Sequence, residues 1–63
     1  MCLITLYKGS IKEENKIMGE IERYTFDLTT GKLTVYPMLK EPQEFKVTKS
    51  ISWSESNDSM IIE

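Results

Sequence analysis

The chain has 63 residues, a net charge of −2 from 8 basic and 10 acidic side chains, and no histidine. A chain of this length can form only one domain, residues 1–63, and such a domain buries only about 60% of the surface that its unfolded form exposes. The acidic balance provides no positive field to attract phosphate groups, so nucleic acid is not favoured as a partner. Without histidine the chain lacks the usual general base at neutral pH, and we do not expect an enzyme.

So small a domain is only marginally stable, and a disulfide, a bound metal or a second subunit usually provides the additional stability. Cys2 is the only cysteine, which excludes a disulfide within one chain and leaves metal binding and self-association. We therefore expect a homodimer. The apolar opening over residues 2–7 is too short to span a membrane. A single unpaired thiol also suits a reducing compartment, so we expect a cytoplasmic protein without membrane contact.

The first half of the chain alternates between apolar and polar segments. Alternation predicts a first strand over residues 2–8, central in its sheet because both of its faces carry apolar groups. Residues 9–16 are polar and predict an exposed loop. Apolar residues return at Ile17, where their spacing also allows a short helical turn over residues 17–21. A second strand follows over residues 23–28.

A hairpin is the strongest local prediction. Residues 29–32 form a tight turn in which Gly31 can adopt a positive φ angle, and residues 33–36 return as the third strand.

Two prolines mark the next connection. Pro37 and Pro42 each lack a backbone N–H and predict a loop over residues 37–42. Its apolar residues, Met38 and Leu39, could cover the open end of a barrel or contact a second chain.

The last third of the chain predicts a fourth strand over residues 44–48 and a closing hairpin over residues 51–62. Asn57 and Asp58 suit the turn of that hairpin because both tolerate left-handed backbone. Five or six short strands in so small a chain predict an all-β fold, a small SH3-like, partly open barrel.

Four aromatic side chains could form a platform for a peptide or a base. They are Tyr7, Tyr24, Tyr36 and Trp53. A chain of this size needs most of its aromatic residues for burial, so we expect them in the core or in a dimer interface.

Cys2 is the most distinctive candidate for chemistry. A thiolate is a soft, strong ligand for late transition metals, and next to backbone nitrogen it can contribute to planar ligation that suits Ni(II) or Cu(II). Two such segments related by a two-fold axis could share one ion between subunits. Residue type alone favours a different interpretation, a small buried hydrophobe at the start of the first strand.

Features along most of the chain resemble CooT, a family of small nickel-binding proteins accessory to carbon monoxide dehydrogenase maturation in some members. The shared features are Met1 followed by Cys2, Ile21 with the strand of residues 24–26, the Gly31 hairpin, and a closing hairpin that ends in glutamate. The resemblance implies an SH3-like barrel, a homodimer, and Ni(II) bound by Cys2 of both subunits.

Two hypotheses of different classes follow. The first is a dimeric accessory protein that holds Ni(II) through Cys2 for a client metalloenzyme. The alternative is a protein-binding module, or a small inhibitor without metal, that uses the loop of residues 37–42 or its aromatic face.

Overall fold

The computed structural model describes residues 3–63, which form six β-strands in one sheet and two short 3-10 turns. No α-helix occurs in this part of the chain. The strands are β1 (Ile4–Lys8), β2 (Lys16–Asp27), β3 (Lys32–Pro37), β4 (Gln43–Lys46), β5 (Ile51–Ser54) and β6 (Ser59–Ile62). The 3-10 turns cover Glu13–Asn15 and Glu55–Asn57.

The strands lie in the order β4-β3-β2-β1-β6-β5, and all neighbours are antiparallel except β1 and β6, which are parallel. The first half of β2 pairs with β1 and its second half pairs with β3. One long strand therefore belongs to both halves of the sheet, as in a partly open SH3-like barrel. The all-β prediction is confirmed, although β2, at 12 residues, is longer than the short strands expected.

An irregularity in β2 lies between its two halves. Glu20 has a φ of 53°, and the pairing registers shift on both sides of it. Such bulges bend a strand and strengthen its twist, which allows the next residue, Ile21, to point into the core. The predicted helical turn over residues 17–21 is wrong, because this segment pairs with β1 as a strand.

Aliphatic and methionine side chains form the buried core. Its residues are Leu6, Ile21, Leu33, Val35, Met60 and Ile62. Phe26 and Phe45 pack against this core but stay partly exposed, and none of the six aromatic side chains is fully buried. The expectation that most aromatic residues are buried is therefore not met within one copy of the chain.

The predicted β2–β3 hairpin is confirmed, with its turn over residues 28–31. Gly31 has a φ of 72° and donates its N–H to the carbonyl oxygen of Asp27 at 2.8 Å. The side chain of Asp27 also accepts the N–H of Thr29 at 2.9 Å, which closes the turn. In the closing hairpin, Asp58 takes the left-handed conformation that its residue type predicted.

The predicted loop of residues 37–42 is shorter than expected. Pro37 is buried and forms the last residue of β3, opposite Ile21 of β2. Pairing between β3 and β4 ends at Val35 and Gln43, so the missing N–H of Pro37 costs no bond to β4. The irregular connection is therefore residues 38–42. No helix within residues 3–63 is long and apolar enough to cross a membrane.

Candidate functional site

The predicted metal ligand, Cys2, lies outside the described residues. The chain enters β1 at Ile4, which is opposite Ile21 of β2. On the other side, the N–H of Thr5 donates to the carbonyl oxygen of Asp58 at 3.1 Å. The strand that follows Cys2 is thus bonded on both sides, which confirms its predicted central position.

Acidic side chains do not assemble into a metal site in the described part of the chain. Residues 3–63 contain no group of three or more histidine, cysteine, aspartate or glutamate residues placed to hold a metal ion.

Tyr24 and Trp53 form an aromatic pair, with ring centroids 5.1 Å apart and ring planes tilted by 52°. Both belong to the inward faces of their strands, since Tyr24 is opposite the buried Val35 and Trp53 is opposite the buried Met60. Yet Tyr24 is 37% exposed and Trp53 is 46% exposed. Trp53 lies on the edge strand β5, so it has a neighbouring strand on one side only. The pair borders the core and presents apolar surface to solvent.

The other two predicted platform residues do not join this pair in the described structure. Tyr36 stacks instead with Arg23, whose guanidinium carbon lies 3.8 Å from the ring centroid. Tyr7 lies on β1, opposite Lys16 and Ile61. The aromatic face predicted from four residues is thus reduced to Tyr24 and Trp53.

The loop after β3 presents an apolar tip. Leu39 is 96% exposed and has a φ of 61°, so it covers neither the core nor the open end of the barrel. Met38 is more protected, and its N–H donates to the carbonyl oxygen of Glu20 at 2.8 Å. This bond ties the loop to the bulge of β2 and leaves Leu39 available to a partner.

A shallow groove of about 550 Å³ lies on the outer side of the β2–β3 hairpin. Its lining includes Thr25, Thr34 and the exposed ion pair between Lys32 Nζ and Glu44 Oε1, 3.7 Å apart. Sequence reasoning missed this groove because its residues come from three strands and share no motif. Exposed ion pairs of this kind contribute little to stability.

Comparison of the chain with known protein families, with curated proteins and with solved structures found no match.

Proposed function

We propose that this chain is a cytoplasmic accessory protein that binds Ni(II) through Cys2 in a homodimer and supplies it to a client metalloenzyme. The observation that supports the proposal is the position of the chain's single thiol, two residues before β1, a central strand held by hydrogen bonds on both sides. The all-β fold also agrees with the SH3-like barrel that the resemblance to CooT implies.

The ligand chemistry sets the stoichiometry. Two Cys2 thiolates, with backbone nitrogens from the same segments, provide the mixed sulfur and nitrogen ligands that planar Ni(II) prefers. One chain has no second cysteine and no histidine to complete such a set. We therefore expect about one ion for every two chains.

Titration of the full chain with Ni(II) tests the proposal. Thiolate-to-metal charge-transfer absorption should rise to a plateau at about one ion per two chains, and Cys2→Ser should abolish it. Met38→Leu is the matched control, since it removes the partly exposed thioether of another sulfur residue and should leave the absorption unchanged. A wild-type chain that develops no such absorption contradicts nickel binding.

A protein-binding module is the second candidate, and the exposed surface of Tyr24, Trp53 and Leu39 favours it. Tyr24 and Trp53 are in contact and form one exposed apolar surface, and exposed contiguous apolar surface often marks a binding site. Here Cys2→Ser should retain partner capture, whereas Trp53→Ser combined with Leu39→Ser should lose it. Quantitative affinity capture with these variants compares the two cases, and capture that is equal for wild type and the double variant removes this candidate.

A further inference from the structure

The outer edge of β5 carries backbone groups that form no hydrogen bond with any other residue in the range 3–63. Ser50 and Glu63 exchange two backbone bonds, from Glu63 N–H to Ser50 oxygen at 3.0 Å and from Ser50 N–H to Glu63 oxygen at 3.4 Å. Bonded and non-bonded pairs alternate along an antiparallel ladder, so Ile51 and Trp53 occupy non-bonded positions opposite β6. Their N–H and C=O groups therefore point away from β6, where the described sheet has no further strand.

The opposite edge of the sheet, β4, is protected by charge. Val47 donates its N–H to the carbonyl oxygen of Gly31. Bonded and non-bonded pairs alternate from there along β4, so the backbone groups of Glu44 and Lys46 point away from β3. Charged side chains and a nearby proline, here Pro42, are the usual means by which edge strands avoid pairing with other chains. On β5 the corresponding positions hold isoleucine and tryptophan, so this edge lacks that protection.

The sequence around β5 is complementary to itself. Lys49 precedes the strand and Glu55 follows it, and both side chains are exposed. When two copies of β5 run antiparallel with Ser52 opposite Ser52, each Ile51 faces Trp53 of the other copy, and the end of β5 beside Lys49 meets the end of the other copy that leads into the turn beginning at Glu55. We infer that a second copy of this chain pairs with the β5 edge in this register.

The register agrees with the bonding pattern of the edge. It places Ile51 of one copy opposite Trp53 of the other, so the free backbone groups of these residues can form four new hydrogen bonds. A two-fold axis perpendicular to the sheet keeps both inward faces on the same side. Ile51 of the second copy then packs beside the exposed Trp53, which contacts Tyr24. The pairing covers the aromatic surface that one copy leaves open.

This interface is separate from the proposed nickel site. In the continued sheet the two β1 strands are five strand spacings apart, about 24 Å measured along the sheet, because β6 and β5 of each copy lie between them. Pairing at β5 therefore leaves the two β1 strands apart. The inference goes beyond nickel binding and does not depend on it.

Sedimentation equilibrium of the full metal-free chain tests the pairing. The wild type should reach twice its 7.3 kDa mass as concentration rises. Lys49→Glu alone and Glu55→Lys alone each replace two attractive pairs with repulsive ones and should raise the dissociation constant about tenfold. Combining Lys49→Glu with Glu55→Lys restores opposite charges and should return the constant close to the wild-type value. Cys2→Ser should have no effect.

Hydrogen exchange and a control at the other edge locate the interface. The amides of Ile51 and Trp53 should exchange more slowly at dimer concentrations than at monomer concentrations, because pairing bonds them. Lys46→Glu reverses a charge on β4 and should leave the dissociation constant unchanged. A wild type that stays monomeric overturns the inference. A double variant no better than the single variants, or unaltered exchange at Ile51 and Trp53 in the dimer, also overturns it.

Discussion

The carbonyl oxygen of Val47 lies 2.9 Å from the position that a Cβ atom would occupy on Gly31. Val47 also donates its N–H to the carbonyl oxygen of Gly31 at 2.8 Å, and this bond extends the β3–β4 pairing beyond Lys46. Gly31 therefore meets two separate demands, a positive φ and a close backbone neighbour.

Gly31→Ala should destabilise the fold more than Gly9→Ala. Both glycines have positive φ, 72° and 85°, but a Cβ at Gly9 would meet no atom within 4 Å. We expect Gly9→Ala to lower the free energy of unfolding by about 1 kcal/mol from backbone strain. Gly31→Ala should lower the free energy of unfolding by about 1–3 kcal/mol more than Gly9→Ala, because the backbone at the Val47 contact must also shift. Urea unfolding measures both, and equal losses would show that the Val47 contact is unimportant.

The β2–β3 hairpin was predictable because its signals are local. Gly31 follows a polar turn, and alternation marks the strands on both sides of it. The residue type of Asp58 likewise indicated the left-handed turn before β6. In each case, residues within a few positions of the turn determine its backbone conformation.

The continuity of β2 was not predictable because its bulge at Glu20 breaks the two-residue period. The parallel pairing of β1 with β6 joins distant parts of the chain, so local patterns do not reveal it. The exposure of Trp53 follows from the edge position of β5, which depends on strand order. The prediction of a metal site at Cys2 rests on the chemistry of the thiol and on its place in the sequence. The described structure contributes only the position of β1, the strand that follows Cys2.

Leu33→Ala and Leu39→Ala make the same chemical change in opposite environments. Leu33 is 0% exposed in the core, whereas Leu39 is 96% exposed. Leu33→Ala should lower the free energy of unfolding by about 2–5 kcal/mol, through lost burial and the cavity left behind. Leu39→Ala should change it by less than about 0.5 kcal/mol. Thermal unfolding followed by circular dichroism compares them, and a large loss at Leu39 would place that side chain against the fold.

Leu39→Gly should stabilise the chain. Its φ of 61° is unfavourable for a residue with a side chain, and Leu39 makes almost no compensating contact. Glycine removes a cost of about 1–2 kcal/mol, offset in part by its greater freedom in the unfolded state. We expect a net gain of about 0.5–1 kcal/mol in chemical unfolding. Pro42→Gly, in the same connection but not at a positive φ, is the control and should not stabilise. A lower unfolding midpoint for Leu39→Gly would refute the assignment of strain to this position.

Tyr24 and Trp53 should be energetically coupled. Their 5.1 Å centroid distance and tilted planes fit the favourable geometry of aromatic pairs, which contributes about 0.5–1.5 kcal/mol beyond burial. A double-mutant cycle with Tyr24→Leu and Trp53→Leu should therefore give a coupling free energy in that range, measured at concentrations where the chain is monomeric. Tyr36→Leu in place of Tyr24→Leu is the matched control, because the Tyr36 ring stacks with Arg23.

Since Trp53 is the only tryptophan, its fluorescence should also change with Tyr24→Leu and remain unchanged with Tyr36→Leu. Equal coupling of Trp53 to both tyrosines would mean that the measured energy is not a property of the observed ring contact.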